Sequence, residues 1–150
     1  MKTKTIIAEI TKEDLVDFFS TAIYGSQLFY IKFKKSDYYG TDLESEDDCR
    51  EDKWAKVLMS GKPVKVLDYY AEDVDEFYGD KPHKWDENEC ATSYTITLDD
   101  IKNGLQGALD SDEEYLNEYA RAWVNGCYDL DLTGAEALLQ FITFGEVVYG

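Results

Sequence analysis

The stretch QLFYIKFKK, residues 27–35, sets Leu28, Tyr30, Lys32 and Lys34 in alternation with Phe29, Ile31 and Phe33. Successive strand side chains point to opposite sides, so a period of two with one polar-tending face predicts a half-buried strand. The turn-like SDYYG, 36–40, ends it. Upstream, TKTIIAEI (3–10) alternates well enough for a first strand. TKEDLVDFFSTAIYG (11–25) follows as an amphipathic helix, with a capping-box start from Thr11 to Asp14, apolar residues at 15, 16, 18, 19, 22 and 23, and Gly25 as its stop.

Downstream, CREDKWAKVLMSG (49–61) predicts a short helix with Trp54, Val57 and Leu58 facing inward, and KPVKVLDYY (62–70) a further strand. Residues 71–90 hold no clean period and contain YGDKP. They are expected to form a long surface excursion before a strand at SYTITL, 93–98. Three helices complete the chain: 98–110 capped by Asp99 or Asp100, 111–126 between Ser111 and Gly126, and 133–145 between Thr133 and Gly145. Strands come early and helices late, which predicts an α+β fold: one domain over 1–150, a small mostly antiparallel sheet packed with several helices, and a helix-rich C-terminal half.

The composition, 44% hydrophobic and 15% aromatic, is that of a chain that folds. Its charge is unusual, because 15 basic residues against 32 acidic ones leave −17. Most of that falls in the middle, with −1 over residues 1–65, −13 over 66–120 and −3 over 121–150. Phosphates need Lys or Arg, so direct nucleic-acid binding through the middle region is disfavoured. Cys49, Cys90 and Cys127 form no CxxC pair, which fits a reducing compartment. The opening residues turn acidic too soon for a secretory leader, and no apolar run approaches about 18 residues. A cytoplasmic location in a bacterial host cell is the expectation, with no membrane partner.

No nucleotide-binding, hydrolase or metalloprotease motif occurs. The single histidine, His83, stands near only one cysteine, Cys90, which serves neither thiol catalysis nor a zinc site. DLDLTGAEALLQ, 129–140, places Asp129, Asp131, Thr133 and Gly134 at the first, third, fifth and sixth positions of a calcium loop, but Gln140 stands where a bidentate Glu is needed. The expectation is therefore no enzyme, no cofactor and no metal. A divalent-cation-binding protein or enzyme is an alternative.

The remaining signal is LDYYAEDVDEFYGD, 67–80, which carries no Lys or Arg. Here Asp68, Glu72, Asp73, Asp75, Glu76 and Asp80 lie among Tyr69, Tyr70, Phe77 and Tyr78. Asp86, Glu87 and Glu89 extend the charge, and Asp112, Glu113, Glu114 and Glu118 resume it. Carboxylates spaced i, i+4 on a helix lie about 5–6 Å apart, on the scale of successive phosphates. Such a surface mimics DNA, with the aromatic rings as anchors for Arg. The predicted partner is a basic nucleic-acid-binding protein.

The residues Asp129-Leu130-Asp131-Leu132-Thr133-Gly134 and Glu146-Val147-Val148-Tyr149 resemble the end of ArdA-type antirestriction proteins, which are acidic DNA mimics carried by mobile elements. TITLDDI (95–101), GLQGAL (104–109) and ALLQFITFGEVVYG (137–150) resemble small proteins of phages and conjugative elements. The second resemblance implies a genomic setting rich in inhibitors of host defence, and with the first it makes an antirestriction or anti-CRISPR inhibitor, acting on a restriction enzyme or CRISPR effector, the expectation. The other alternative is a structural or adaptor protein that binds through its apolar C-terminal helix and tail.

Overall fold

The computed structural model describes residues 9–24, 28–70, 78–125 and 130–149. Helix α1 spans Lys12–Ile23 and begins with the expected capping box: Thr11 Oγ1 accepts from the Asp14 amide, and the Asp14 carboxylate accepts from the Thr11 amide. Its buried face is Leu15, Phe18, Phe19, Ala22 and Ile23. Each such large side chain contributes roughly 1.5–3 kcal/mol when fully buried. The strand expected at 3–10 lies mostly outside the described residues, as do Gly25 and Gly126; Glu9 and Ile10 belong to no strand.

Strand β1, Phe29–Lys32, buries Phe29 and Ile31 and exposes Tyr30 and Lys32, as its alternation predicts. Helix α2, Arg50–Met59, turns Trp54, Ala55, Val57 and Leu58 inward. Strand β2 is Val64–Asp68. One element differs from expectation in the stretch 71–90, because His83–Asp86 forms a strand, β3, which hairpins onto β4, Ala91–Ile96. Residues 71–77 lie outside the described residues. The four strands form one antiparallel sheet in the order β1-β2-β4-β3.

Three helices follow: α3 (Leu98–Leu109), α4 (Glu114–Val124) and α5 (Leu132–Phe144). Their caps correct the sequence reading. Thr97 caps α3, with Asp100 completing the capping box. Glu113 occupies the cap position of α4, and Ser111 Oγ instead accepts from the Glu113 amide. Asp131, not Thr133, caps α5 through the Gly134 amide. At the other end Gly145 takes the left-handed conformation (φ +83°) and stops α5, as expected.

Helix α5 is central, burying nine of its residues. Gly104 lets α3 approach it, because a Cβ there would lie 2.6 Å from Ile142 Cγ1. The register puts Phe29, Ile31, Val64, Val66, Tyr94 and Ile96 on one face of the sheet. Phe144 of α5 meets that face, with ring centroids 5.9 Å from Phe29 and 5.1 Å from Tyr94. On the opposite face stand Tyr30, Lys32, Lys65, Leu67, Ser93, Thr95 and Lys84.

Candidate functional site

The expected acidic and aromatic residues divide into three structural groups. The first surrounds a buried carboxylate, with Tyr78 half-buried and Tyr70 exposed at its edge. Asp68 ends β2 on the face toward α5, because it pairs with Phe29 on one side and Thr92 on the other. It is fully buried, and its carboxylate accepts from the Tyr149 hydroxyl at 2.8 Å and the Tyr70 amide at 2.9 Å. Gln140, also buried, grips the same tail: its Oε1 accepts from the amides of Val148 (2.8 Å) and Tyr149 (2.7 Å), and its Nε2 donates to the Tyr149 carbonyl at 3.1 Å. Burial, followed by the Asp68 carboxylate, pushes the Tyr149 hydroxyl far above the ordinary phenol value. Tyr70 and Tyr78 flank that ring at 5.0 and 6.0 Å, and the Tyr78 amide donates to the Tyr94 hydroxyl at 2.6 Å. Asp68 is thus a structural carboxylate rather than part of an accessible surface, which corrects its assignment as a partner-binding residue. A carboxylate buried in this way must be hydrogen-bonded to persist in the fold.

The second group sits at the β3–β4 hairpin. Asp86 Oδ1 accepts from the amides of Asn88 and Glu89, which fixes the turn. Tyr69 donates its hydroxyl to Glu89 at 3.0 Å; burial and then that carboxylate push it up to about 12. Lys32 Nζ lies 3.8 Å from Asp86 and 3.6 Å from Glu89. Strands β2 and β4 separate β1 from β3, so these contacts cross the outer face of the sheet. Asp86 and Glu89 are therefore partly neutralised, while Glu87 and Asp80 are exposed.

The third group is the α3–α4 connection with the first turns of α4. Asp112, Glu113, Glu114 and Glu118 are all exposed, and none forms a salt bridge among the described residues. The turn that carries them is pinned by Asn117, whose Nδ2 donates to the carbonyls of Ala108 (2.8 Å), Leu109 (3.2 Å) and Ser111 (2.8 Å). Glu114 and Glu118 are i, i+4 neighbours, and their mutual repulsion is destabilising. Elsewhere carboxylates have cations: Asp48 with Lys56, Asp52 with Lys12 and Asp100 with Lys81. The remaining expected residues, Glu72, Asp73, Asp75, Glu76 and Phe77, lie outside the described residues.

Among the described residues no group of three or more His, Cys, Asp and Glu side chains is placed to hold a metal ion. Asp131 of the calcium-like loop is engaged as the α5 cap; Asp129 lies outside the described residues. His83 Nδ1 is 2.7 Å from the Lys81 carbonyl. No helix among the described residues is long and apolar enough to cross a membrane.

Segment-wise charge counting missed a cationic region. Lys32 and Lys65 face each other across β1 and β2, and with Lys34 they line a cleft of about 420 Å³. The signal was present in KFKK and KPVK, but near-neutral residues 1–65 concealed it. No protein-family model matches this chain, and no curated protein or solved structure matches it significantly.

Proposed function

We propose that this protein is a non-enzymatic inhibitor that engages a basic nucleic-acid-handling protein, such as a restriction enzyme or CRISPR effector, through an acidic surface centred on the α3–α4 connection. The observation that carries the reading is the rigidly held set Asp112, Glu113, Glu114 and Glu118, exposed and without salt bridges among the described residues. Self-repulsion of this kind costs stability, and a partner rich in Lys and Arg would relieve it. Bound there, the protein excludes DNA or RNA by occupying the surface that would otherwise hold phosphates. The resemblance of residues 129–134 and 146–149 to ArdA-type tails supports the same class. The adaptor alternative has less support, because Val147, Val148 and Tyr149 are half-buried and Tyr149 is tied to Asp68 and Gln140.

The test is surface-binding kinetics against a panel of restriction endonucleases and CRISPR effectors, comparing wild type with Glu113→Gln/Glu114→Gln/Glu118→Gln. Association at about 0.1 M salt should slow by about tenfold in the triple variant, and the difference should shrink at about 0.5 M. Equal on-rates and equal salt slopes would remove the acidic surface from the mechanism. Absence of any bound panel member would remove the proposed partner class.

A further inference from the structure

The outer face of the sheet near β1 concentrates positive charge in a chain with twice as many acids as bases. Lys32 and Lys65 are direct cross-strand partners, and like charges opposite one another in an antiparallel pair are destabilising. Lys32 is partly compensated by Asp86 and Glu89, but Lys34, Lys35 and Lys65 have no salt bridge among the described residues. Although the chain has 32 carboxylates, Lys32, Lys34 and Lys65 line one cleft whose described lining residues include one carboxylate, Asp37.

The cleft is built from the end of β1 and the start of β2. Phe33, Pro63 and Val64 supply apolar walls, Lys32, Lys34 and Lys65 the charge, and Asp37 is the single carboxylate. Lys32 and Phe33 also line an adjoining hollow of about 270 Å³ that contains Tyr30, Tyr39, Arg50 and Lys53. There the cations rest on rings. The Arg50 guanidinium lies 5.6 Å from the Tyr30 centroid and 5.4 Å from that of Trp54, and Lys53 Nζ lies 5.4 Å from that of Tyr39.

We propose that this cleft binds a small phosphate ester bearing a planar ring, a ligand of the nucleotide class. Three considerations select it. The volume suits a small ligand rather than a protein segment. A phosphate dianion outcompetes single carboxylates for a cluster of lysines, which bind it as point charges. The ring of Phe33 in the cleft, continued by those of Tyr30 and Tyr39 in the adjoining hollow, offers a planar group apolar contact. A long polyanion suits the site less, because the net −17 of the whole protein repels each added phosphate beyond the cleft.

Isothermal titration with ATP, inorganic tripolyphosphate, a polyglutamate peptide and oligothymidylate tests the proposal. ATP should bind more tightly than the other three. Lys34→Gln/Lys65→Gln should weaken ATP by about tenfold or more. Its melting temperature should be unchanged or raised, since a like-charge pair is removed. Phe33→Leu should weaken ATP while leaving tripolyphosphate unaffected. The proposal fails if ATP does not bind at millimolar concentration, or if the double variant binds it as wild type does. It also fails if tripolyphosphate, polyglutamate or oligothymidylate matches or exceeds ATP. None of these substitutions touches the α3–α4 connection, so this result and the test of the inhibitor reading are independent.

Discussion

Tyr149→Phe should destabilise the fold although it deletes one oxygen atom. The ring keeps its neighbours Tyr70, Tyr78 and Phe144, at 5.0, 6.0 and 6.1 Å, so the apolar contribution changes little. What disappears is the 2.8 Å hydrogen bond to Asp68, a carboxylate with no solvent exposure. Hydrogen bonds to charged groups contribute roughly 1.5–3 kcal/mol, and a buried acceptor deprived of its donor retains its desolvation cost. At about 2–4 °C per kcal/mol for a domain of this size, the melting temperature should fall by roughly 3–12 °C. Urea unfolding followed by fluorescence of Trp54, Trp85 and Trp123 measures the free energy directly. A double-mutant cycle with Asp68→Asn should give a coupling of about 1 kcal/mol or more. A loss below about 0.5 kcal/mol, or additivity in the cycle, would refute the assignment of this contact as a stabilising latch.

Gly79 combines φ +72° with a position where a Cβ would run into the Phe144 carbonyl, whereas Gly61 has φ +91° and open space around it. Both Gly→Ala variants should lose about 1–2 kcal/mol from the left-handed backbone, and only Gly79→Ala should lose substantially more in thermal melts. Thr97→Ala should cost about 1 kcal/mol, Thr97→Ser little, and Asp99→Ala less than about 0.5 kcal/mol, since Thr97 caps α3. The hydroxyls of Tyr69 and Tyr94 are raised to about 12, and that of Tyr149 is raised further. Stability is therefore fully present below the unfolded phenol value near 10 and is lost as pH rises through the folded values. Urea midpoints should fall between about pH 10 and about pH 12, less steeply in Tyr149→Phe. At the acid end, burial raises the Asp48 carboxyl, but the hydrogen bonds from Lys56 and Tyr38 outweigh it and hold it low. Its contribution is present above its ordinary value of 3.8 and is lost as pH falls through the lower folded one, so Asp48→Asn should flatten the acid limb of the same profile.

The fold was legible where a local pattern and the tertiary environment agree. Phe29 and Ile31 alternate with Tyr30 and Lys32, and the sheet buries the same set; Thr11 and Asp14 close a box that needs nothing beyond four residues. Strand β3 was hidden because His83–Asp86 is an edge strand with three half-buried side chains, an exposed Lys84 and no apolar run, and its conformation is set by pairing with β4. Thr97 offered the same Thr-x-x-Asp signal as Thr11, but the alternating residues before it read as strand through Leu98. The acidic reading failed at Asp68 because its burial depends on a tyrosine 81 residues away, which no local window contains. The cationic cleft escaped because the ladder, not the sequence, places Lys65 opposite Lys32.

The separation of Asp68 from Tyr149 also bears on how the protein is made. Chains are synthesised at about 5–20 residues per second, so the carboxylate on β2 precedes its hydroxyl partner by roughly 4–16 s. Loops of that length close in far less time once both ends exist, so translation, not diffusion, sets when the latch forms. Until then the β2–β4 ladder can assemble, but the buried Asp68 carboxylate has the Tyr70 amide without the Tyr149 hydroxyl. A nascent chain therefore spends seconds with that end of the sheet unsealed, and it is in this interval that chaperones and proteases have their best access to it.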